Sequence, residues 1–241
     1  MTNTNGMKQG LAHTQVHVLL ENRMNKLLYQ VAMRRSRSCY KQRYGQDFWT
    51  RFRVGSNDRL AEILPKVPDI GKSVFSFNYI FAPFYIAWYQ TLISLGNTPG
   101  EADENLWMMN ERMARTLPAS LLKIVGRLYL GSFSRKAAGH EARQKAGTLH
   151  PYDWKITYRP MDANTYEIDI LECAYVKLTN DLGARGMLPG VCRMDYLFSH
   201  LMGNGFTRTK TLADGDDCCN CRYQLKGACE WAPEKGFTDR K

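Results

Sequence analysis

The sequence predicts an α+β protein in which an N-terminal helical part, residues 1–150, packs on a C-terminal part, residues 151–241, with a small antiparallel sheet and helices. Apolar residues recur at helical spacing in the first part, and they alternate with polar residues in the second. The 241 residues are 44% hydrophobic and 23% charged, which is typical of a globular chain that can bury a sizeable core. We expect the two parts to form one cooperative unit.

Two apolar segments define the beginning of the helical part. Val18 to Ala32 has the spacing of an amphipathic helix, and the basic run at 34–37 would form its tail. Residues 74–95 form the longest apolar run and contain eight aromatics. They predict a buried helix, or two half-helices kinked at Pro83, which could also line an apolar pocket. Polar residues such as Asn78 interrupt this run, so we expect no stable membrane insertion.

The remaining helices of the first part have clear start signals. Thr98-Pro99-Gly100-Glu101 combines an N-cap, a proline at the first helical position and a capping-box glutamate. This helix should run to about Thr116. Pro118 interrupts the pattern, and a second helix should begin at about Ala119. Gly147 and Pro151 then mark the boundary between the two parts.

Beyond Pro151 the pattern predicts a hairpin followed by helices and two further strands. Tyr166, Ile168 and Ile170 would share one face of the second strand. The predicted strands are 154–158, 165–173, 206–212 and 218–224, and the predicted helices are 175–182 and 189–202. Gly203 should end the second of these helices.

The net charge of +10, from 33 Lys and Arg against 23 Asp and Glu, is concentrated near the N-terminus. The first 60 residues hold eleven basic residues and three acidic ones. Such a patch could bind phosphate or an anionic surface, although a solvated helix end explains it equally well. No zinc finger, helix-turn-helix repeat or RNP motif accompanies the charge, so we expect no nucleic-acid partner.

The cysteines indicate the compartment. There are seven, an odd number, and the polar segment Met1–Gly10 has no apolar core of the kind that signal peptides carry. We therefore expect a cytoplasmic protein with reduced thiols.

Six of the seven cysteines follow residue 170, and three sites stand out. Cys173 ends a predicted strand. Cys192 lies three residues before Asp195, so that the thiol and carboxylate share a helix face. The helix should begin just before Cys192, and its N-terminal N–H groups should lower the pKa of the thiol. His200 lies on roughly the same face.

The third site is Cys218-Cys219-Asn220-Cys221. On a strand, Cys219 and Cys221 would share one face and Cys218 would point to the other. A thiolate, a nearby carboxylate and a second thiol are the parts of a thiol-dependent hydrolase, in which the thiolate attacks an sp² carbon. Each cysteine could equally be a small core hydrophobe.

A metal site is the other chemical interpretation of these cysteines. Cys192, Cys218, Cys219, Cys221 and Cys229 supply enough sulfur for zinc or an iron–sulfur cluster. Their spacing is poor for a structural zinc site, which prefers Cys-x2-Cys pairs on turns. We expect no metal and no other cofactor.

Three stretches of the second half carry a family resemblance: Glu172–Tyr175, Leu188–Asp195 and Thr207–Tyr223. A cysteine followed three residues later by aspartate, then an Arg-Thr strand, a Gly-Asp turn and a further cysteine resemble the L-2-amino-thiazoline-4-carboxylic acid hydrolase family of bacterial proteins. Cys219 is the matching second cysteine. Asn220 stands where the family pattern has Asp and Cys221 where it has Phe, so neither Cys218 nor Cys221 is a residue of that pattern.

The resemblance implies hydrolytic opening of a cyclic isothiourea, a small-molecule substrate, with cleavage of a carbon–sulfur bond to give an N-carbamoyl cysteine. Cys192 would be the nucleophile or would position it. Asp195 would activate water or protonate the departing group, and Cys219 would face them from the strand. Arg208 or Arg222 could pair with a substrate carboxylate.

Cys173 and His200 are further substrate-binding candidates, and two other resemblances keep the function open. Cys-x-x-Asp followed by a later cysteine is similar to the organomercurial lyases. The ending Gly-Asp-x-x-Cys-x-x-Arg is similar to the 4-vinyl reductase-like sensor domains, which bind small hydrophobic ligands without turnover. The oligomeric state, monomer or homo-oligomer, also stays open.

Overall fold

The structure is a computed structural model that describes residues 23–229. Residues 18–22 of the predicted N-terminal helix, and the polar segment Met1–Gly10, lie outside the described residues. Within the described part, the first helix, α1, spans Arg23–Ile63 and contains the basic run at 34–37. Gly45 interrupts α1 with a φ of 90°, a backbone conformation that a residue with a side chain rarely adopts.

The helical part continues with four further α-helices, and their boundaries follow the sequence signals. Thr98 caps α4: its Oγ1 accepts the Glu101 N–H at 3.3 Å, and the Glu101 carboxylate accepts the Thr98 N–H at 2.8 Å, as the capping box predicts. After a 3₁₀ turn at Leu64–Lys66, the helices are α2 (Ser76–Tyr79), α3 (Ala82–Ser94), α4 (Pro99–Ala114) and α5 (Ala119–Lys145).

The aromatic run at 74–95 forms two helical segments, α2 and α3. Pro83 lies in the first turn of α3, where its missing N–H leaves no helical hydrogen bond unmade. The helix is therefore interrupted before the proline, between Tyr79 and Ala82. Pro83 does not kink α3, because it lies in the first turn of this helix. Most of α3 is buried. Within residues 23–229, no helix is both long and apolar enough to cross a membrane.

The C-terminal part contains a four-stranded antiparallel sheet in the order β1-β2-β4-β3, which confirms the α+β prediction. Ile168 and Ile170 of β2 face Cys221 and Cys219 of β4. The elements are β1 (Lys155–Pro160), β2 (Thr165–Glu172), α6 (Ala174–Asp181), a 3₁₀ turn (Arg185–Met187), α7 (Leu188–Met202), β3 (Gly205–Thr207) and β4 (Cys219–Gln224).

The predicted strand at 206–212 is wrong in length, since β3 ends at Thr207. Beyond Thr207, side-chain oxygens accept the backbone N–H groups that would otherwise bind a neighbouring strand. The Asn220 Oδ1 accepts the N–H groups of Thr209 and Lys210 at 3.0 and 2.7 Å, and Asp216 accepts that of Thr211 at 2.8 Å. Residues 208–217 therefore form a loop, which contacts α7 through Arg208 and Asp214.

Both parts contribute to one hydrophobic core. α7 packs against α4 and α5, and α5 also packs against β1. The largest fully buried side chains come from the helices and the sheet alike, including Trp88, Phe84, Trp107, Ile156 and Ile168. The sheet is thereby held against the helices, and the segment that carries Cys192 lies between them.

Candidate active site

α7 carries Cys192 and Asp195 and is held close to the helical part. Pro189 lies in its first turn, and Gly203 ends it in the left-handed conformation with a φ of 69°, as the sequence predicts. A Cβ at Gly190 would come within 2.7 Å of the Asp103 Cγ on α4. Glycine at this position therefore allows α7 to approach α4 closely enough to bury the surface beside Cys192.

Arg208 is the central cation of the site. Its Nη1 donates to the Asp195 Oδ2 at 3.1 Å, and its Nη2 donates to the Cys192 carbonyl at 3.0 Å. The Arg208 side chain is only 2% exposed, whereas that of Asp195 is 37% exposed. Its guanidinium also lies over the rings of Tyr196 and Phe206, at 5.8 and 5.5 Å from their centroids. The buried guanidinium thus fixes a carboxylate that solvent still reaches.

The Cys192 thiol lies among other titratable groups in a partly buried position. Burial raises its pKa well above the usual value, the positive charge of Arg208 opposes this rise, and nearby Cys173, Cys219 and Asp195 add to it. The expectation that the start of α7 lowers this pKa is therefore wrong, because desolvation outweighs the helix N-terminus. The Cys192 thiol carries its proton at neutral pH.

The other two predicted thiols lie in the same electrostatic neighbourhood. The Cys219 Sγ accepts the Leu212 N–H at 3.2 Å and contacts the Thr211 Oγ1 at 3.6 Å, while burial raises its pKa. Cys173 precedes α6. Burial raises its pKa to about 11, although N–H groups at the start of α6 and the Trp154 side chain oppose the rise.

The alternation predicted for β4 is confirmed. Cys219 and Cys221 are buried on the face toward α7, and Cys218 is partly exposed just before the strand. Cys221 is not a residue of the family pattern and was not a predicted site residue, yet its thiol contacts Arg208, and burial raises its pKa far above the usual value. The two-residue strand period was the signal that could have placed it in the site.

Four tyrosines surround the cluster and were not among the predicted site residues. Burial raises the pKa of each, and the charge of Asp195 raises it further. Both the Tyr129 and the Tyr175 hydroxyl donate to Asn78 at 2.6 Å, one to its side-chain oxygen and the other to its carbonyl. The four are Tyr85, Tyr129, Tyr175 and Tyr223. The aromatic residues from Phe75 to Tyr89, expected as a possible pocket wall, supply one of these four, Tyr85.

Two of the predicted substrate-binding residues lie outside this cluster. Arg222 is half-exposed on the other face of β4, where its Nη1 lies 3.4 Å from the Glu167 carboxylate. His200 is exposed near the end of α7, with its Nδ1 2.9 Å from the Cys229 carbonyl. Alternation along β4 explains the position of Arg222. His200 follows Cys192 by eight residues, and at about 100° per residue this offset turns the histidine away from the thiol.

All seven cysteines are free thiols. Over the described range, 23–229, no group of three or more His, Cys, Asp and Glu side chains is arranged to hold a metal ion. The chemistry that the cluster offers is that of neutral thiols and phenols around one carboxylate–guanidinium pair, open to solvent at Asp195. Such a set can transfer protons to and from a small molecule that reaches Asp195.

Comparison with known proteins agrees with the resemblance seen in the sequence. The family model described as L-2-amino-thiazoline-4-carboxylic acid hydrolase matches residues 78–223, more than half of the chain. The match includes Cys173, Cys192, Asp195, Arg208 and Cys219. No curated protein sequence matches the chain. The chain belongs to the L-2-amino-thiazoline-4-carboxylic acid hydrolase family.

Proposed function

We propose that this protein is a hydrolase that opens a small cyclic C–N/C–S compound, such as a 2-aminothiazoline carboxylate, with Cys192 as nucleophile and Asp195 as acid–base group. The observation that supports this most is the position of the Arg208–Asp195 pair. It lies against the Cys192 backbone and near three thiols, all within the stretch that matches the family. All seven cysteines are free thiols, which suits a cytoplasmic enzyme.

The proposed reaction has two steps. The Cys192 sulfur attacks the ring carbon that bears the amino group, and the bond between this carbon and the ring sulfur breaks. The ring sulfur leaves as a thiol after it takes a proton, and the carbon remains attached to Cys192 as an isothiourea. Water then attacks the same carbon, the bond to Cys192 breaks, and a proton of this water ends on the Cys192 sulfur, so that the thiol is restored and the product is the N-carbamoyl cysteine.

The proton of Cys192 must leave before or during attack, because burial keeps the resting thiol neutral. Asp195, three residues along the same helix face and 37% exposed, is the group that takes it. The same proton then goes to the departing ring sulfur, so that no net charge is created in the buried cluster. Arg208 positions Asp195, and its guanidinium also suits a substrate carboxylate.

The proposal is tested by incubating the purified protein with 2-aminothiazoline-4-carboxylate, related thiazolines and hydantoins, and measuring ring-opened product. Cys192→Ser should lower kcat by about a thousandfold or more while the protein still folds, as circular dichroism would show. Cys218→Ser is the matched control, because its thiol is outside the cluster, and it should retain full turnover. Turnover that persists in Cys192→Ser would exclude covalent catalysis by this thiol.

A ligand-binding domain without turnover is the second candidate, and one observation favours it. Burial raises the pKa of Cys173, Cys192 and Cys219 alike, so none of them is a preformed thiolate. On this alternative, the thiols are neutral lining of a small-molecule pocket. Tight binding of one of the same rings, measured by calorimetry, with no product formed and no effect of Asp195→Asn beyond affinity, would favour it over the hydrolase.

A further inference from the structure

Helix α5 is apolar on two opposite faces, of which only one has a partner among the described residues, 23–229. Its inner face, with Leu122, Leu130 and Phe133, is buried against α7 and β1. Its outer face carries Leu121, Ile124, Val125 and Leu128 at the spacing i, i+3, i+4, i+7, and Leu117 precedes them. These five side chains are between 37% and 66% exposed. An exposed apolar stripe of this kind typically marks an interaction surface.

The segment that carries this stripe, residues 112–140, contains basic residues and no acidic ones. No acidic residue occurs between Glu111 and Glu141, whereas six basic residues do: Arg112, Arg115, Lys123, Arg127, Arg135 and Lys136. The two acids that delimit the segment pair with Arg115 and with Lys145. The segment around the apolar stripe therefore carries a large positive charge next to its aliphatic side chains.

A basic groove adjoins the N-terminal end of the stripe. It lies between α1 and α4, has a volume of about 1000 Å³, and is lined by Arg34, Arg35 and Arg112 together with the Arg115–Glu111 ion pair. Thr116, at the end of this groove, is the residue before Leu117. The groove offers several guanidinium groups to a phosphate at the point where the apolar stripe begins.

We propose that the outer face of α5, from Leu117 to Leu128, docks on an anionic lipid surface. The aliphatic side chains would enter the boundary between headgroups and acyl chains, and the basic residues would contact lipid phosphates. Two-fold pairing with a second copy would bring two strongly basic margins together, which is unfavourable. A nucleic acid supplies the negative charge but offers no apolar interior to cover five aliphatic side chains. The helix lies in the plane of the surface and does not span the membrane.

The experiment measures co-sedimentation of the full chain with vesicles of phosphatidylcholine alone and with vesicles that also contain phosphatidylglycerol. The wild type should bind the anionic vesicles and release progressively as salt rises, because screening weakens the basic contacts. Lys123→Gln with Arg127→Gln should bind about twentyfold more weakly, since each charge is worth roughly a fivefold change in partition. Leu121→Gln with Leu128→Gln should bind about a hundredfold more weakly.

The matched control is Met161→Gln with Leu171→Gln, which removes two side chains of similar exposure, 53% and 46%, at the sheet. It should bind as the wild type does. All variants should unfold at the same temperature as the wild type, because the substituted side chains are exposed. Equal binding to neutral vesicles, or no binding to anionic ones, would overturn the proposal. So would a wild-type dimer that Leu121→Gln with Leu128→Gln converts to monomer, or binding of duplex DNA that this variant abolishes.

Discussion

The two faces of the sheet at β4 carry opposite chemistry, although they differ by one residue along the strand. On the inner face, Cys219 and Cys221 are buried against α7 and lie near Arg208. On the outer face, Arg222 is half-exposed, and Asn220 binds the backbone of a loop. Neighbouring residues of this motif therefore have different roles. Cys219 and Cys221 line the candidate site, and Asn220 binds the loop beside it.

Arg208 and Arg222 show the same difference between a buried and an exposed position, in this case for ion pairs. Arg208 and Arg222 both pair with a carboxylate, and both were candidates for binding a substrate carboxylate. The Arg208 side chain is 2% exposed and that of Arg222 is 50% exposed. A buried guanidinium cannot be removed without leaving its partners unsatisfied, whereas water replaces an exposed one at little cost.

Substituting these arginines is expected to give the largest difference between the two faces. Arg208→Met should lower the free energy of unfolding by about 2–3 kcal/mol, because Asp195 and the Cys192 carbonyl lose their donors. Arg222→Met should change it by less than about 0.5 kcal/mol. Urea unfolding of both variants measures the difference. Equal effects would mean that the burial of Arg208 has no energetic consequence.

Raising the pH should lower the free energy of unfolding, because the buried thiol of Cys173, directly after β2, then loses its proton. Burial raises the pKa of Cys173 to about 11, so the folded protein keeps this proton after the unfolded chain has lost it, above about pH 9. Its contribution is complete below pH 9 and is lost as the pH rises to about 11. The loss from this one group is about 2–3 kcal/mol.

The measurement is urea unfolding of the wild type and of Cys173→Ala at several pH values between 8 and about 11. The variant should show a smaller decline than the wild type across this range. Cys39→Ala, which replaces a thiol on α1 away from the sheet, is the control and should follow the wild type. Parallel curves for Cys173→Ala and the wild type would contradict the prediction.

The smallest of the three expected differences in unfolding free energy is between serine substitutions at Cys221, which is buried, and at Cys218, which is partly exposed. Cys221→Ser should cost about 1–2 kcal/mol of unfolding free energy, because it places a hydroxyl at a position that is 2% exposed. Cys218→Ser should cost less than about 0.5 kcal/mol. Thermal unfolding of the two variants would measure this, and a more harmful Cys218→Ser would reverse the assignment of faces.

Several elements were predictable because their signals are local. The capping box at Thr98, the helix that begins at Ala119 after Pro118, and the left-handed Gly203 at the end of α7 depend only on neighbouring residues. The strand at 206–212 was predicted too long because its composition resembles a strand. The contacts that end it come from Asn220 and Asp216, on the other side of a turn.

For the candidate site, too, the sequence predicted the local arrangement and not the long-range contacts. The spacing of Cys192 and Asp195 is a helix property, and that of Cys219 and Cys221 is a strand property, so each pair could be placed on a face. Their meeting with Arg208 could not, since it depends on how α7 and β4 pack. The pKa of Cys192 was expected in the wrong direction for the same reason: the helix terminus is local, whereas desolvation comes from the residues packed around the thiol.

The sequence by itself determined the family, the α+β class and the order of helices and strands, because periodicity, caps and motif spacing are written in neighbouring residues. Only the tertiary structure decided which arginine is buried, which thiols share a site, and which face of α5 stays exposed within the described part of the chain. These properties depend on desolvation, and desolvation is set by residues distant in the chain that packing brings together.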